Sequence, residues 1–447
     1  MQSSKATRRF LAVCALLGLL ASSVLTAARP AAHARSSVTL VVWWSNWGTD
    51  FDKLMQKATD IDFHKAHPDV TVKWTFYTNL QQKLLTAIAA GSPPDMTYIN
   101  STQSQAWAQK GVLTPLDSYF STAGLKESDF VPASFPPYQY KGHLYGLLNS
   151  GDFEALLYNK DVFKAAGLDP AKPPRTIQDV EADNTKLFKM QGGHIVQAGL
   201  FPDRVGVQTW GLQFGGDFVD RAHHKITAND PHIVQALQWM LDQSKKWGQA
   251  NEDRFVSTVS PGSGTAQDPF YTGKVAMQWQ GDWDFYTQGL YAKNLHVGVA
   301  ALPTAGHGLR LWDEVSWATA IPKGSAHPQQ AWQLMQWLTT GPQAPKVIAD
   351  TINFLAYKPL MPQFFAETYK IMGGKNPMRQ DFHVFQDTIV PNTVAQPYYD
   401  LPISAFYDQQ LSRAVSTVLH GQDTPKHALD MVTQSVQKEW DNFKPGQ

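Results

Sequence analysis

Between positions 38 and 44 the chain reads Val-Thr-Leu-Val-Val-Trp-Trp, a continuous β-branched and aromatic run that predicts a strand buried in a parallel sheet. The polar Ser45-Asn46-Trp47-Gly48 ends the run. Thr49-Asp50 then caps a predicted helix carrying Phe51, Leu54, Met55, Ala58 and Ile61 at helical spacing. After Pro68, the alternation of Val70, Val72, Trp74 and Phe76 predicts a second strand. A helix through Leu80, Leu84, Ala87 and Ile88 ends at Gly91, and Pro93-Pro94-Asp95 leads into a third strand over 96–99. Strand, helix, strand, helix, strand implies right-handed crossovers and a mostly parallel sheet. In such sheets ligands sit beyond the carboxyl ends of the strands. Here those ends are Trp44-Ser45-Asn46-Trp47 and Asn100-Ser101-Thr102-Gln103.

The pattern changes over 141–176. Leu147-Leu148 stops at a polar elbow, Asn149-Ser150-Gly151-Asp152, and an apolar run restarts at Phe153 and continues through Ala155, Leu156, Leu157 and Tyr158. A polar elbow between two apolar runs describes a chain leaving one packed body and entering another, which puts Asp152 where clefts form. Asn159-Lys160-Asp161 predicts a helix start, and Gly167 stands where a left-handed C-cap is needed. Pro173-Pro174 breaks the chain before a helix at Thr176. Farther on, Gly206 to Gly211 leads into a glycine turn at Gly215-Gly216. Pro231 opens a helix with Ile233, Ala236, Leu237, Met240 and Leu241 on one face, and 257–268 reads as a loop. Strands follow over 297–302 and 316–321, the second returning to the first body. A helix runs from Pro328 to Gly341-Pro342, and a last helix opens at Thr424-Pro425, N-cap and N1.

The 447 residues carry 38 basic and 38 acidic side chains; a chain without net charge offers no basic field to nucleic acid. Fifteen tryptophans exceed what packing asks for and suggest stacking surfaces for a ligand. Residues 1–34 read as a secretory signal. Lys5, Arg8 and Arg9 precede an apolar run from Phe10 to Leu25 that is short for a membrane span, and Ala32-His33-Ala34 fits a cleavage site. Thr7-Arg8-Arg9 hints at twin-arginine export, with two ordinary basic residues the simpler reading. Cys14, the single cysteine, lies inside this segment without the setting of a lipid anchor, so the mature chain is expected to carry no disulfide and no reactive thiol.

Several stretches resemble bacterial extracellular solute-binding proteins of the maltose-binding type. The crossing segment shows the resemblance in Gly142, Tyr145, Gly146 and Leu147, then Leu156-Leu157-Tyr158-Asn159-Lys160, Phe163, Ala166-Gly167-Leu168 and Pro173-Pro174-Arg175-Thr176, with Leu148 standing where the family usually has Pro. The run Lys83 to Asp95, the segment Gly111 to Asp117, Phe270 to Met277 followed by Gln280-Gly281-Asp282-Trp283, and Gly421 to Pro425 are similar to family motifs in the same order. The resemblance implies an α/β, two-lobed periplasmic-binding-protein-like fold of type II, each lobe a mostly parallel sheet with flanking helices. Lobe 1 would comprise 37–150 with 315–357, and lobe 2 would comprise 151–314 with 358–447. It implies a non-enzymatic, monomeric, exported protein in the periplasm or at the outer face of the cytoplasmic membrane. There it would capture a mono- or oligosaccharide and deliver it to the membrane permease subunits of an ABC importer, with no cofactor.

The candidate ligand residues each have a plainer reading. Trp44 and Asn46 close the first strand, and an indole with an amide suits a sugar, whose C–H faces stack and whose hydroxyls need two-way hydrogen bonding; alternatively Trp44 packs under the next helix. Asn100 and Gln103 end the third strand and either meet the ligand or cap the helix containing Ala106 and Trp107. Asp152 matches an acidic position that hydrogen-bonds sugar in maltose-binding relatives; the alternative is a carboxylate stabilising the hinge. Trp210 and Trp283 sit after glycine-flanked strand ends of the second lobe, with core packing as the alternative, and the resemblance has the Gly281-x-Trp283 unit present an aromatic face to the ligand. Trp312, Glu314 and Trp317 lie at the returning strand, and Tyr399 sits in a segment that closes the cleft in relatives. Asp282 with Asp284, or Asp313 with Glu314, would be the carboxylate pair of a secreted carbohydrate-active hydrolase, but sequence neighbours seldom supply the roughly 5–10 Å separation across a scissile bond. No P-loop, nucleophile elbow or His-Glu-x-x-His occurs, and His223, His224 and His232 lack a second cluster at ligand spacing for a metal. A glycerol phosphodiester or polyamine ligand on the same fold is the remaining alternative; a phosphate would want Arg or Lys at strand ends that instead carry Trp, Asn, Asp and Gln.

Overall fold

The computed structural model describes residues 37–443, apart from 47–48, 133–134, 313–316, 352–353 and 395–396. The expected export signal and Cys14 therefore lie outside the described residues. Among those described, no helix is long and apolar enough to cross a membrane.

β1 (Val38–Ser45) is followed by α1 (Thr49–Ala58), β2 (Val70–Tyr77), α2 (Leu80–Ala89) and β3 (Met96–Asn100). β1 runs parallel to both β2 and β3, as the alternating pattern predicts. α3 (Ser101–Gln109) leaves β3 without a loop, so Asn100 is at once the last strand residue and the helix N-cap. β4 (Leu147–Ser150) and β5 (Glu154–Asn159) are separated by Gly151-Asp152-Phe153 alone. The Asn159 side chain then caps α4 (Lys160–Ala165), accepting from the Asp161 and Val162 N–H groups at 3.1 Å. Gly167 takes φ +73° at the end of this helix, the left-handed value that favours glycine. α5 (Ile177–Leu187) opens with a Thr176–Asp179 capping box.

The chain continues through α6 (Val207–Gln213), α7 (Pro231–Trp247) and α8 (Gln249–Val259). β6 (Met277–Gly281), α9 (Asp284–Tyr291) and β7 (Val297–Ala300) come next. β8 (Trp317–Ala320), α10 (Pro328–Thr339), α11 (Ala344–Asp350), α12 (Met361–Met372), α13 (Ser404–Leu419) and α14 (Pro425–Asn442) complete it. Two sheets result. The first has the order β2-β1-β3-β8-β4 and the second β6-β5-β7. β8 inserts between β3 and β4, antiparallel to each.

The structure corrects the sequence reading in three places. The second sheet is not mostly parallel: β5 is central and antiparallel to both neighbours. The reason is directional, because β5 starts at the crossover elbow whereas β6 ends there, Gly281 pairing with Glu154. The stretch from Gly206 is not a strand end but the start of α6, with Gly206 at φ +89° in the N-cap position. Finally, 257–259, expected in a loop, forms the last turn of α8.

The crossover is braced by a second passage of chain. The Gly151 N–H donates to the Phe354 carbonyl at 3.3 Å and the Val131 N–H to the Ala356 carbonyl at 3.0 Å. The Phe153 and Phe354 rings lie 4.4 Å apart. A large hydrophobic cluster underlies both sheets. A separate one joins Ile195, Ala198, Phe201, Trp247 and Phe255. Beside this smaller cluster Glu252 is 1% exposed, accepts the Trp247 indole N–H at 2.8 Å and shares a hydrogen bond with Asp203.

Candidate functional site

The strand register gathers the site at one end of the first sheet. Trp317, opening β8, pairs with Asn100 on one side and Ser150 on the other. Its indole stacks on Tyr98, with centroids 5.0 Å apart and planes 6° from parallel. Tyr98 in turn stacks on Trp44 at 3.8 Å, and Trp44 meets Trp74 edge-on at 5.3 Å. These rings form a ladder from the interior of the first sheet to its end, and the last rung holds the crossover: Trp317 donates its indole N–H to Asp152 Oδ2 at 3.2 Å.

The second sheet delivers its contribution to the same elbow. The Asp282 N–H donates to the Phe153 carbonyl at 3.0 Å, fixing the end of β6 against the residue after Asp152. Asp282 is 2% exposed, and its carboxyl is held well above the usual range by burial and then by the negative charge of Asp152. Trp283, the next residue, folds its indole back over Gly281: a Cβ on Gly281 would fall 1.9 Å from the ring. Glycine is therefore a steric requirement of this arrangement. Trp283 is partly buried and, among the described residues, is packed into neither hydrophobic cluster.

Several polar atoms near these strand ends are buried with no hydrogen-bond partner among the described residues: Asn149 Oδ1, Gln103 Oε1, Trp44 Nε1 and Asp282 Oδ1. An unmade buried hydrogen bond costs roughly 1–3 kcal/mol, so donors and acceptors left open beside an aromatic ladder favour a ligand, or water, that can do both.

The expected residues divide accordingly. Asp152, Trp283 and Trp317 come together at the crossover, with Asn100 and Gln103 at the adjoining strand end. Asn100 does not cap a backbone N–H but accepts from Thr102 Oγ1 at 2.9 Å. Trp44 is fully buried and supports Tyr98 from beneath, while Asn46 is exposed just past the strand. Trp210 lies in the core on α6, fully buried, with its N–H given to the Pro202 carbonyl at 2.8 Å; this packing leaves it no face for a ligand. Tyr399 is buried against Tyr398 at 5.3 Å, in the segment before α13, whose first residue, Ser404, hydrogen-bonds the Thr102 carbonyl of α3 at 3.2 Å. Trp312 is placed by its backbone, paired with Val394, and Glu314 lies outside the described residues. Two residues of this cluster, Tyr98 and Asp282, are not among the expected ligand residues. Alternation along β3 puts Tyr98 on the face of Asn100 and Met96, and that signal could have found it. Asp284, weighed as the partner of Asp282, is committed elsewhere, bonded to Tyr271 at 2.5 Å and Gln288 at 2.7 Å.

Comparison with known proteins gives a consistent picture. Residues 45–344 match the family described as bacterial extracellular solute-binding protein. The sn-glycerol-3-phosphate-binding periplasmic protein UgpB of Shigella dysenteriae is 26% identical over 287 residues, 61% of this chain, and the match spans 62% of that relative's length. Among solved structures, CpMnBP1 with mannotriose bound superposes with a TM-score of 0.72 at 26% identity, covering 89% of this chain and 99% of that one. The sugar-binding protein MalE of Xanthomonas citri superposes with a TM-score of 0.70 at 19% identity over 90% and 98% of the two chains, a likeness of fold.

Proposed function

Because the chain belongs to the bacterial extracellular solute-binding protein family, we propose that it captures a saccharide between two lobes and hands it to the permease of an ABC importer. The observation that carries this reading is the convergence of two indoles, Trp283 and Trp317, with Asp152 and Asp282 where the two sheets meet. A ring face takes the C–H surface of a pyranose while carboxylates and amides take its hydroxyls. The mannotriose complex of a 26% identical neighbour supports the same substrate class. The relatives named for sn-glycerol-3-phosphate argue for a phosphate ligand, but the groups at this crossover are acidic, and a phosphate among them would meet repulsion. The protein performs no chemistry in this reading. It acts in the periplasm or at the outer face of the membrane.

Calorimetry against a panel of oligosaccharides and glycerol 3-phosphate tests this reading. Trp283→Ala gives the sharper result. Stacking that removes about 100 Å² of apolar surface from water contributes roughly 2.5 kcal/mol, so affinity should fall by between one and two orders of magnitude. The melting point without ligand should stay near that of the wild type, because Trp283 is not packed into the core. Normal affinity with an early melt would instead place Trp283 in the core.

Capture also implies motion. With lobes of 37–150 plus 315–357 and 151–314 plus 358–447 swinging about the braced crossover, ligand should stabilise a closed state. Small-angle scattering should then show a smaller radius of gyration with saccharide bound. An unchanged profile at saturation would sink the closure.

A further inference from the structure

The far end of the second sheet carries a different chemistry. β5 leaves the crossover at Glu154 and finishes at Asn159, where Val297 of β7 stands opposite; at about 3.3 Å per residue that is roughly 17 Å from the elbow. Next to it lies a surface cavity of about 640 Å³. Five of its lining side chains are basic, Lys160, Lys164, Lys293, Lys375 and Arg379, against the carboxylate of Asp161. Asp161 is engaged with His296 at 2.9 Å, and Asp381 beside the cavity with Lys160 at 2.6 Å. Arg379 lies over the Tyr369 ring, 5.1 Å from its centroid, and donates to the Tyr369 carbonyl. Lys164, Lys293 and Lys375 are exposed and form no ion pair among the described residues. In a chain with 38 charges of each sign, this is a local excess of positive charge, and it suits phosphate-bearing groups.

The rim of the cavity is apolar. α9 ends at Leu290 and Tyr291, 49% and 50% exposed, and α12 carries Ile371, 39% exposed, shortly before the lining residue Gly374. The two helices are tied together here. Asn376, also in the lining, donates its side-chain amide to the Phe285 carbonyl of α9 at 2.7 Å, and a Cβ on Gly289 would fall 2.9 Å from that amide nitrogen. Three of the seven large apolar side chains exposed among the described residues thus stand at one edge. A dissolved anion makes no use of them. A bilayer, with phosphates at its surface and acyl chains beneath, takes both the charge and the apolar rim.

We propose that this end of the protein docks on an anionic phospholipid surface, the headgroup phosphates entering the basic cavity while Leu290, Tyr291 and Ile371 settle into the interface. The patch lies at the opposite end of β5 from the crossover, so docking and ligand capture use different surfaces. Attraction of this kind weakens with salt, whereas capture of a neutral sugar does not.

The test is co-sedimentation with vesicles of the chain from Ser37 onward, which forms one compact unit and leaves out the N-terminal apolar run that would insert by itself. Vesicles of phosphatidylcholine alone are compared with vesicles of equal parts phosphatidylcholine and phosphatidylglycerol. Binding is expected to the second only, falling at least about tenfold as salt rises from about 0.05 M to about 0.5 M. Lys293→Glu combined with Lys375→Glu should lose on the order of 30-fold in vesicle affinity. Leu290→Ser combined with Tyr291→Ser should lose at least about tenfold. Both variants should keep the wild-type melting temperature and saccharide affinity, because these side chains are exposed. Equal binding to the two kinds of vesicle, or undiminished binding by the Leu290 and Tyr291 variant, overturns the docking. So does binding of inorganic phosphate or soluble polyphosphate with no retention on either vesicle, which would make the cavity a site for a dissolved anion.

Discussion

Glu252→Gln will make the protein more stable at neutral pH and leave it unchanged near pH 4.5. Glu252 lies beside the smaller hydrophobic cluster, 1% exposed. Burial first, and then its hydrogen bond to Asp203, raise its carboxyl far above the ordinary 4.5. The folded pKa is thus higher than the unfolded one. Stability from this group is complete below about pH 4.5 and declines as pH rises towards the folded value. Each pH unit above 4.5 costs about 1.4 kcal/mol while the folded carboxyl stays protonated, so the cost near pH 7 is about 3 kcal/mol. Glutamine is neutral and of the same shape. Its oxygen can accept from Trp247 and its amide can donate to Asp203. For a chain of this size the gain is about 3–6 °C in Tm at pH 7. Calorimetric melting of both proteins at pH 4.5 and pH 7 reads it. A shift of equal size at both pH values would show that the group does not titrate between them.

Trp44→Ala should do the opposite, at every pH. The indole is fully buried, stacked on Tyr98 and edge-on to Trp74. Truncating a buried Trp costs roughly 3–5 kcal/mol, or about 4–8 °C in Tm at this chain length. Saccharide affinity of the folded fraction should fall less than in Trp283→Ala, because Trp44 reaches the site only through Tyr98 and Trp317. A thermal melt and a titration on the same preparation separate the two effects. A variant that melts normally and binds weakly would return Trp44 to the ligand surface.

The contrast between these tryptophans shows what could be read from the sequence. The β-branched runs gave β1, β2 and β3 within a residue or two, and the Asn149–Asp152 elbow marked the crossover. Trp44 as a ligand residue needed one further step. Leu40, Val42 and Trp44 share one parity on β1, all are fully buried, and side chains two apart share a face. Trp210 misled for another reason: a glycine before a short mixed run such as Val207-Gln208-Thr209 reads alike at a strand end and at a helix N-cap, and the backbone angle of Gly206 decides. The partnership of Asp282 with Asp152 had no local signal at all, since it is made by pairing β5 with a strand more than a hundred positions away.

The insertion of β8 between β3 and β4 sets the timetable of folding. Thr319 donates to the Leu147 carbonyl across 172 positions of sequence, and β3 and β4 have no contact in the ladder without β8 between them. The first sheet therefore cannot be completed until the chain has been synthesised beyond residue 320. Contacts this distant close slowly. Until then the facing edges of β3 and β4 stay without the strand that joins them.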